Sequence, residues 1–207
     1  MNENNFQKAI DCINYRQRFL ELVDLEDAAP YIHEVKYNPE QPIHIFKIMH
    51  IIPARRKKSD IEVFPFAFDR EINPTYQDFL SCLIDHEGSH AKQNHFQKRS
   101  SVFENFFQNF MDRALLGPTL YPRKQNAQRT ILDSKKEIMA YSVQLSRADK
   151  RGVSEQYKER IKINKHFYEL SIKHSLPLLS QKSGLVSFIE SAVNDRCFAM
   201  LKQRLPE

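Results

Sequence analysis

The chain has 207 residues, is 41% hydrophobic and 28% charged, and carries a formal net charge of +5 at pH 7, from 31 Lys and Arg against 26 Asp and Glu. No run of about 18 apolar residues occurs, so no membrane-spanning helix and no membrane partner are expected. The N-terminus is polar and lacks the apolar centre of a secretory signal. Four glycines, with neither a dinucleotide fingerprint nor a P-loop pattern, exclude a glycine-rich phosphate cradle. The three cysteines, Cys12, Cys82 and Cys197, form no CxxC pair, which excludes a zinc ribbon or a thioredoxin-like site and fits a reducing, cytoplasmic setting.

Phe6, Ile10, Ile13, Phe19, Leu20 and Val23 recur near the helical period and predict one helix over 5–27, closed by Pro30. Tyr31–Tyr37, Ile43–Ile52 and Ile61–Phe68 are rich in β-branched and aromatic residues and predict three strands. Pro65 cannot donate to a ladder, which favours an edge position or a bulge for the third strand. The basic run Arg55-Arg56-Lys57-Lys58 reads as a solvated turn between strands. Nothing near it offers aromatic platforms for stacked bases, so nucleic acid is not expected as a partner.

From Asn73-Pro74 onward the pattern is helical. Thr75 is the expected N-cap of a helix reaching about Lys98, and Ser101 and Glu104 have capping-box spacing for a short helix ending at Gly117-Pro118. Further helices are expected from Pro122 to about Lys150, over 154–175 and over 183–203. The class is therefore α+β: an N-terminal helix, a small three-stranded sheet, a helix carrying the chemistry and a helical C-terminal half. One domain is expected over 1–207, with residues 1–100 holding helix, sheet and motif and 101–207 forming a helical subdomain.

The segment Leu83-Ile84-Asp85-His86-Glu87-Gly88-Ser89-His90-Ala91 contains HExxH. Residues four apart on a helix share a face, so His86 and His90 can aim imidazole nitrogens at one metal ion about 2.0–2.1 Å away. Glu87 projects beside that face, placed to take a proton from water. With 8 His and the chain's glutamates, composition gives about 0.02 chance occurrences of the pattern. The uncharged neighbours Leu83, Ile84, Gly88, Ser89 and Ala91 suit a buried metal-binding helix.

On these residues the chain resembles the zincin metallopeptidases, although Lys92 stands where that family places a hydrophobic residue. The metzincin extension would need Gly at 93 and His at 96, where this chain has Gln93 and Phe96. The gluzincin type takes a Glu from a later helix, in a pattern that Glu137-Ile138-Met139-Ala140-Tyr141 is similar to, with Tyr141 replacing the family's acid. Glu137 is the expected third ligand in the C-terminal half. Glu104, Asp133 and His95 stay open as alternatives, and Ser134 and Glu137 also match a capping box. The acid's role of orienting a ligand His would fall to Asp133 or Asp85.

The resemblance implies one Zn²⁺ held by His86, His90 and Glu137, and hydrolysis of a peptide or protein substrate with Glu87 as general base. Tyr141 is the candidate transition-state donor, with Tyr168 and His166 as alternatives. It also implies that the 61–68 strand offers its open edge to an extended substrate. A catalytically silent zincin-like binding or regulatory module is the competing reading. A di-iron carboxylate bundle would need a second Glu-x-x-His beside Glu87-Gly88-Ser89-His90, and none exists. Oligomeric state has no sequence signal.

Overall fold

The structure, a computed structural model, describes residues 3–40, 49–53, 58–96 and 102–180, the side chains at 53 and 102–121 excepted. The expected helix over 183–203 with Cys197, residues 43–48 of the expected second strand, Arg55 to Lys57 and the side chain of Glu104 lie outside the described residues.

The N-terminal segment forms two helices, α1 (Glu3–Asp11) and α2 (Ile13–Glu21), where the periodicity predicts one. Cys12 between them is extended, with φ −137° and ψ 116°. Arg16 explains how the break is tolerated: its guanidinium donates to the carbonyls of Ala9 at 3.1 Å and Ile10 at 3.3 Å, capping the end of α1. The break lets Phe6 and Phe19 meet in one aromatic core, with ring centroids 5.8 Å apart. Phe68, Tyr76 and Phe79 complete this cluster.

A 3₁₀ turn (Glu26–Tyr31) leads into β1 (Ile32–Tyr37), followed by β2 (Met49–Pro53) and β3 (Ser59–Val63). The sheet order is β1-β3-β2, with β1 parallel and β2 antiparallel to β3. The strand expected at the edge is therefore the central one. Its alternation buries Ser59, Ile61 and Val63, and it ends at Val63, because Pro65 starts a 3₁₀ turn (Pro65–Phe68). Proline at the first position of a helical turn loses no needed donor, so here it punctuates the strand instead of marking an edge.

After Asn73, whose side-chain amide donates to the Ala67 carbonyl at 2.7 Å, comes α3 (Tyr76–Leu80). Thr75 caps it as expected: its hydroxyl accepts from the Asp78 N–H and the Asp78 carboxylate accepts from the Thr75 N–H, both at 3.1 Å. Asp78 also accepts from the N–H and the hydroxyl of Ser154, both at 2.9 Å, so one buried carboxylate serves two helix starts. A π-helical stretch (Ser81–Glu87) then runs into α4 (Gly88–Phe96).

Two long helices follow, α5 (Val102–Arg151) and α6 (Glu155–Ser180), turning at Gly152, whose φ of +73° favours glycine. The expected stop at Gly117-Pro118 and start after Pro122 do not occur, and α6 continues past Pro177. Each internal proline costs about 3 kcal/mol in a helix interior, yet the helices run through them.

The chain divides into two compact units, Met1–Gln97 with Ser134–Glu169, and Lys98–Asp133 with Leu170–Glu207. The sheet, HExxH and Glu137 all belong to the first unit. Within the second, Ala127 and Ile131 are buried. No helix among the described residues is long and apolar enough to cross a membrane.

Candidate metal centre

HExxH straddles a change of helix type. Ser81 to Glu87 are all buried, more consecutive positions than one face of a regular α-helix can hide, and their backbone takes the wider π form. Such turns occur frequently at functional sites. Gly88 begins the α-helical half, and a Cβ there would lie 2.8 Å from the Ala28 Cβ. Glycine is thus required by close packing against the 3₁₀ turn before β1. Ser89 donates back to the Asp85 carbonyl at 2.6 Å.

His86 and His90 nevertheless converge. Their ring centroids are 4.9 Å apart, and each Nε2 faces one oxygen of the Glu137 carboxylate: His86 Nε2 to Oε2 at 3.4 Å and His90 Nε2 to Oε1 at 3.3 Å. One donor atom from each residue lies within 4.8 Å of the other two. A tetrahedron centred about 2.0–2.1 Å from each donor has edges of about 3.3–3.4 Å. The two nitrogen–oxygen separations are close to that edge, each to a different oxygen of the carboxylate, and the set of two imidazoles and one carboxylate is one that zinc accepts. These residues could hold a single divalent ion.

The electrostatics point the same way. Burial alone would raise the Glu137 pKa, but its contacts with His86 and His90 outweigh burial and hold it at about 2. Burial would likewise lower the pKa of His90; the Glu137 carboxylate overcomes it, and the value is raised. Burial pushes the Tyr141 hydroxyl up, reinforced by the charge of Glu137, so it stays protonated. Glu87 is buried, its charge acts on His90 and Tyr141, and no side chain among the described residues hydrogen-bonds to it.

Tyr141, on α5 one turn after Glu137, lays its ring against His86 with centroids 4.4 Å apart, and Tyr168 of α6 stacks on Tyr141 at 6.0 Å. His166 is exposed and lies 3.5 Å from Glu169 on its own helix. Asp133 is exposed and paired with Arg129, and His95 packs edge-on against Tyr31, so neither joins the donors.

Asp85 does not orient a ligand: it is fully buried and held by Arg151, at 2.6 and 2.9 Å, and by Arg147 at 3.4 Å. Instead, the residue that meets a ligand's second nitrogen is Gln93, whose Oε1 lies 3.1 Å from His90 Nδ1 and whose Nε2 donates to the Lys136 carbonyl at 3.1 Å. Gln93 is not among the site residues expected from the sequence. Its only signal was position, three residues after His90 on the same face. His86 Nδ1 is buried without a hydrogen-bond partner among the described residues.

A second group, His33, Glu34 and Asp60, meets on the sheet because a bulge between Ile32 and Glu34 leaves two successive exposed side chains. There Lys36 already lies 2.8 Å from Glu34 and 3.8 Å from Asp60, supplying the positive charge. In comparisons with protein-family models, with curated proteins and with solved structures, nothing matches this chain.

Proposed function

We propose that the chain is a zinc-dependent peptide-bond hydrolase of the zincin type, built on His86, His90 and Glu137. The observation that carries this reading is the meeting of both HExxH imidazoles with the Glu137 carboxylate at separations of 3.4 and 3.3 Å. The charge pattern supports it: two buried or half-buried carboxylates, Glu87 and Glu137, meet no ammonium or guanidinium among the described residues, so a divalent cation would balance two formal negative charges. Zinc, when bound, supplies Lewis acidity that polarises a carbonyl and acidifies water.

The remaining roles belong to side chains of this chain. Glu87 takes the proton of the attacking water as the carbon–oxygen bond forms, then delivers it to the amine nitrogen as the carbon–nitrogen bond breaks. Tyr141, kept protonated by burial, is the donor available to the carbonyl oxygen as it gains charge. The substrate proposed is a peptide or protein. β3, flanked on both sides, cannot pair with it in extended form, so any strand pairing falls to β1 or β2. The setting proposed is a reducing cytoplasm, on the strength of three cysteines with no CxxC pair.

The test is Glu87→Gln. Bound zinc, measured by elemental analysis, stays at the wild-type level, while hydrolysis of a broad peptide library falls at least about 100-fold, the lower range for loss of a general base. Unchanged hydrolysis removes Glu87 from the proposed role. A zinc-loaded wild type that cleaves nothing in the library moves the reading to a silent binding module.

A further inference from the structure

We infer that Gln93 is a positioning residue that sets two of the three donors at once, a conclusion resting on the zinc reading of His86, His90 and Glu137. Its side-chain amide sits between His90 Nδ1, 3.1 Å from Oε1, and the Lys136 carbonyl, 3.1 Å from Nε2. A backbone carbonyl only accepts, so the amide nitrogen must face Lys136 and the amide oxygen must face His90. The oxygen in turn only accepts, so His90 carries its proton on Nδ1. In the neutral ring this leaves the lone pair on Nε2, the atom 3.3 Å from Glu137 Oε1. A lone pair facing a carboxylate oxygen at that distance is satisfied by a shared cation, whether a proton or a metal ion, and the tautomer selected is the one a metal ligand needs.

The other end of the amide acts on the second donor. Lys136 directly precedes Glu137 on α5, so the bond from Gln93 ties α4 to α5 beside the carboxylate. One side chain therefore fixes the tautomer and ring orientation of His90 and the helix position of Glu137. Ligating histidines commonly use a carboxylate for this purpose. Here the partner is neutral. It orients the ring without adding negative charge to a site that already carries Glu87 and Glu137. Neither Asp85, held by two arginines, nor Asp133, exposed on Arg129, takes that place.

The experiment uses the full chain with zinc as the probe. Zinc affinity is measured by competition with a chromophoric chelator for wild type, His90→Ala, Gln93→Leu and Gln93→Glu. Long-range proton–nitrogen spectra of wild type, taken without metal at a pH where the rings are neutral, report the His90 tautomer. The expected results are an Nδ1–H tautomer, about 10–100-fold weaker zinc binding in Gln93→Leu, and recovery of affinity in Gln93→Glu, which restores an acceptor for Nδ1–H. An Nε2–H tautomer, wild-type affinity in Gln93→Leu, or no recovery in Gln93→Glu overturns the inference. The spectra need neither zinc nor a folded variant, so they decide the orienting role even if Gln93→Leu unfolds. Wild type that binds zinc no better than His90→Ala instead overturns the metal reading itself.

Discussion

Asp85 and His86 are adjacent and both buried, yet they turn into two differently treated clusters of charge. Asp85 enters a saturated clamp: Arg151 grips it through two nitrogens, Arg147 approaches from the side, and the same guanidiniums reach Glu26 and Asp27 in the turn before β1. His86 enters a set whose donors face one another with no fixed positive charge among the described residues, and its Nδ1 has no hydrogen-bond partner there. Buried charge that serves the fold is compensated within the chain. On the proposed zinc reading, the buried charge beside His86 is left for a ligand to complete.

The largest effect should come from breaking the saturated side. Asp85→Ala strands the Arg151 guanidinium, whose side chain is 8% exposed, with only the more exposed Glu26. Removing one partner of such a pair costs about 3–5 kcal/mol, measurable as a lower urea midpoint. A loss below about 1 kcal/mol would mean that Arg151 regains its solvation and that the clamp does not hold the motif's helix.

Glu137→Gln on the open side should behave differently. Without metal it should lose stability at neutral pH, though less than Asp85→Ala, because contacts with His86 and His90 hold the Glu137 carboxyl pKa at about 2 in the fold. With zinc at 100 times the dissociation constant, wild type gains about 2.7 kcal/mol and the variant gains none. Thermal melts with zinc and with chelator read both. An equal zinc-dependent rise in the two proteins would break the contrast drawn here.

Gly88 packs against the same turn that carries Glu26 and Asp27, and its added Cβ would meet Ala28 at 2.8 Å. Gly88→Ala is expected to cost about 1–3 kcal/mol from overpacking. Ala28→Gly in the same chain should restore most of it, since the clash involves that one methyl. A double variant no more stable than Gly88→Ala would place the strain in the backbone.

Much of this was legible before the structure, and the divide is physical. Thr75 capping α3 and the pairing of His86 with His90 follow from local spacing, because one capping box or one turn of helix fixes which atoms meet, whereas Glu137 was expected only through the resemblance of its segment to a family pattern. What escaped depends on atoms distant in sequence. The break at Cys12 needs Arg16 to satisfy the end of α1, and the glycine at 88 needs Ala28 beside it. The central place of β3 is set by pairing with both neighbours, which alternation within one strand cannot reveal. The prolines at 118 and 122 carry a local penalty, yet α5 runs through them. Gln93 sat in plain view, but its meaning required the Lys136 carbonyl.

The smallest effect belongs to the exposed rim of the clamp, where solvent blunts the same chemistry that is decisive at Asp85. Arg147 hydrogen-bonds Asp27 at 2.7 Å and holds its carboxyl below the ordinary value, against a small opposing contribution from burial. A lowered folded pKa adds stability above the unfolded value of about 3.9, and that stability disappears as pH falls through the folded value. Because Asp27 is largely exposed, the pair is worth about 0.2–1 kcal/mol. Wild type should therefore exceed Asp27→Asn slightly in urea midpoint at pH 6, and the gap should narrow as the pH is taken well below the usual carboxylate range. A gap that persists unchanged in acid would mean that the carboxylate's charge contributes nothing there, leaving Asp85 as the clamp's sole electrostatic anchor.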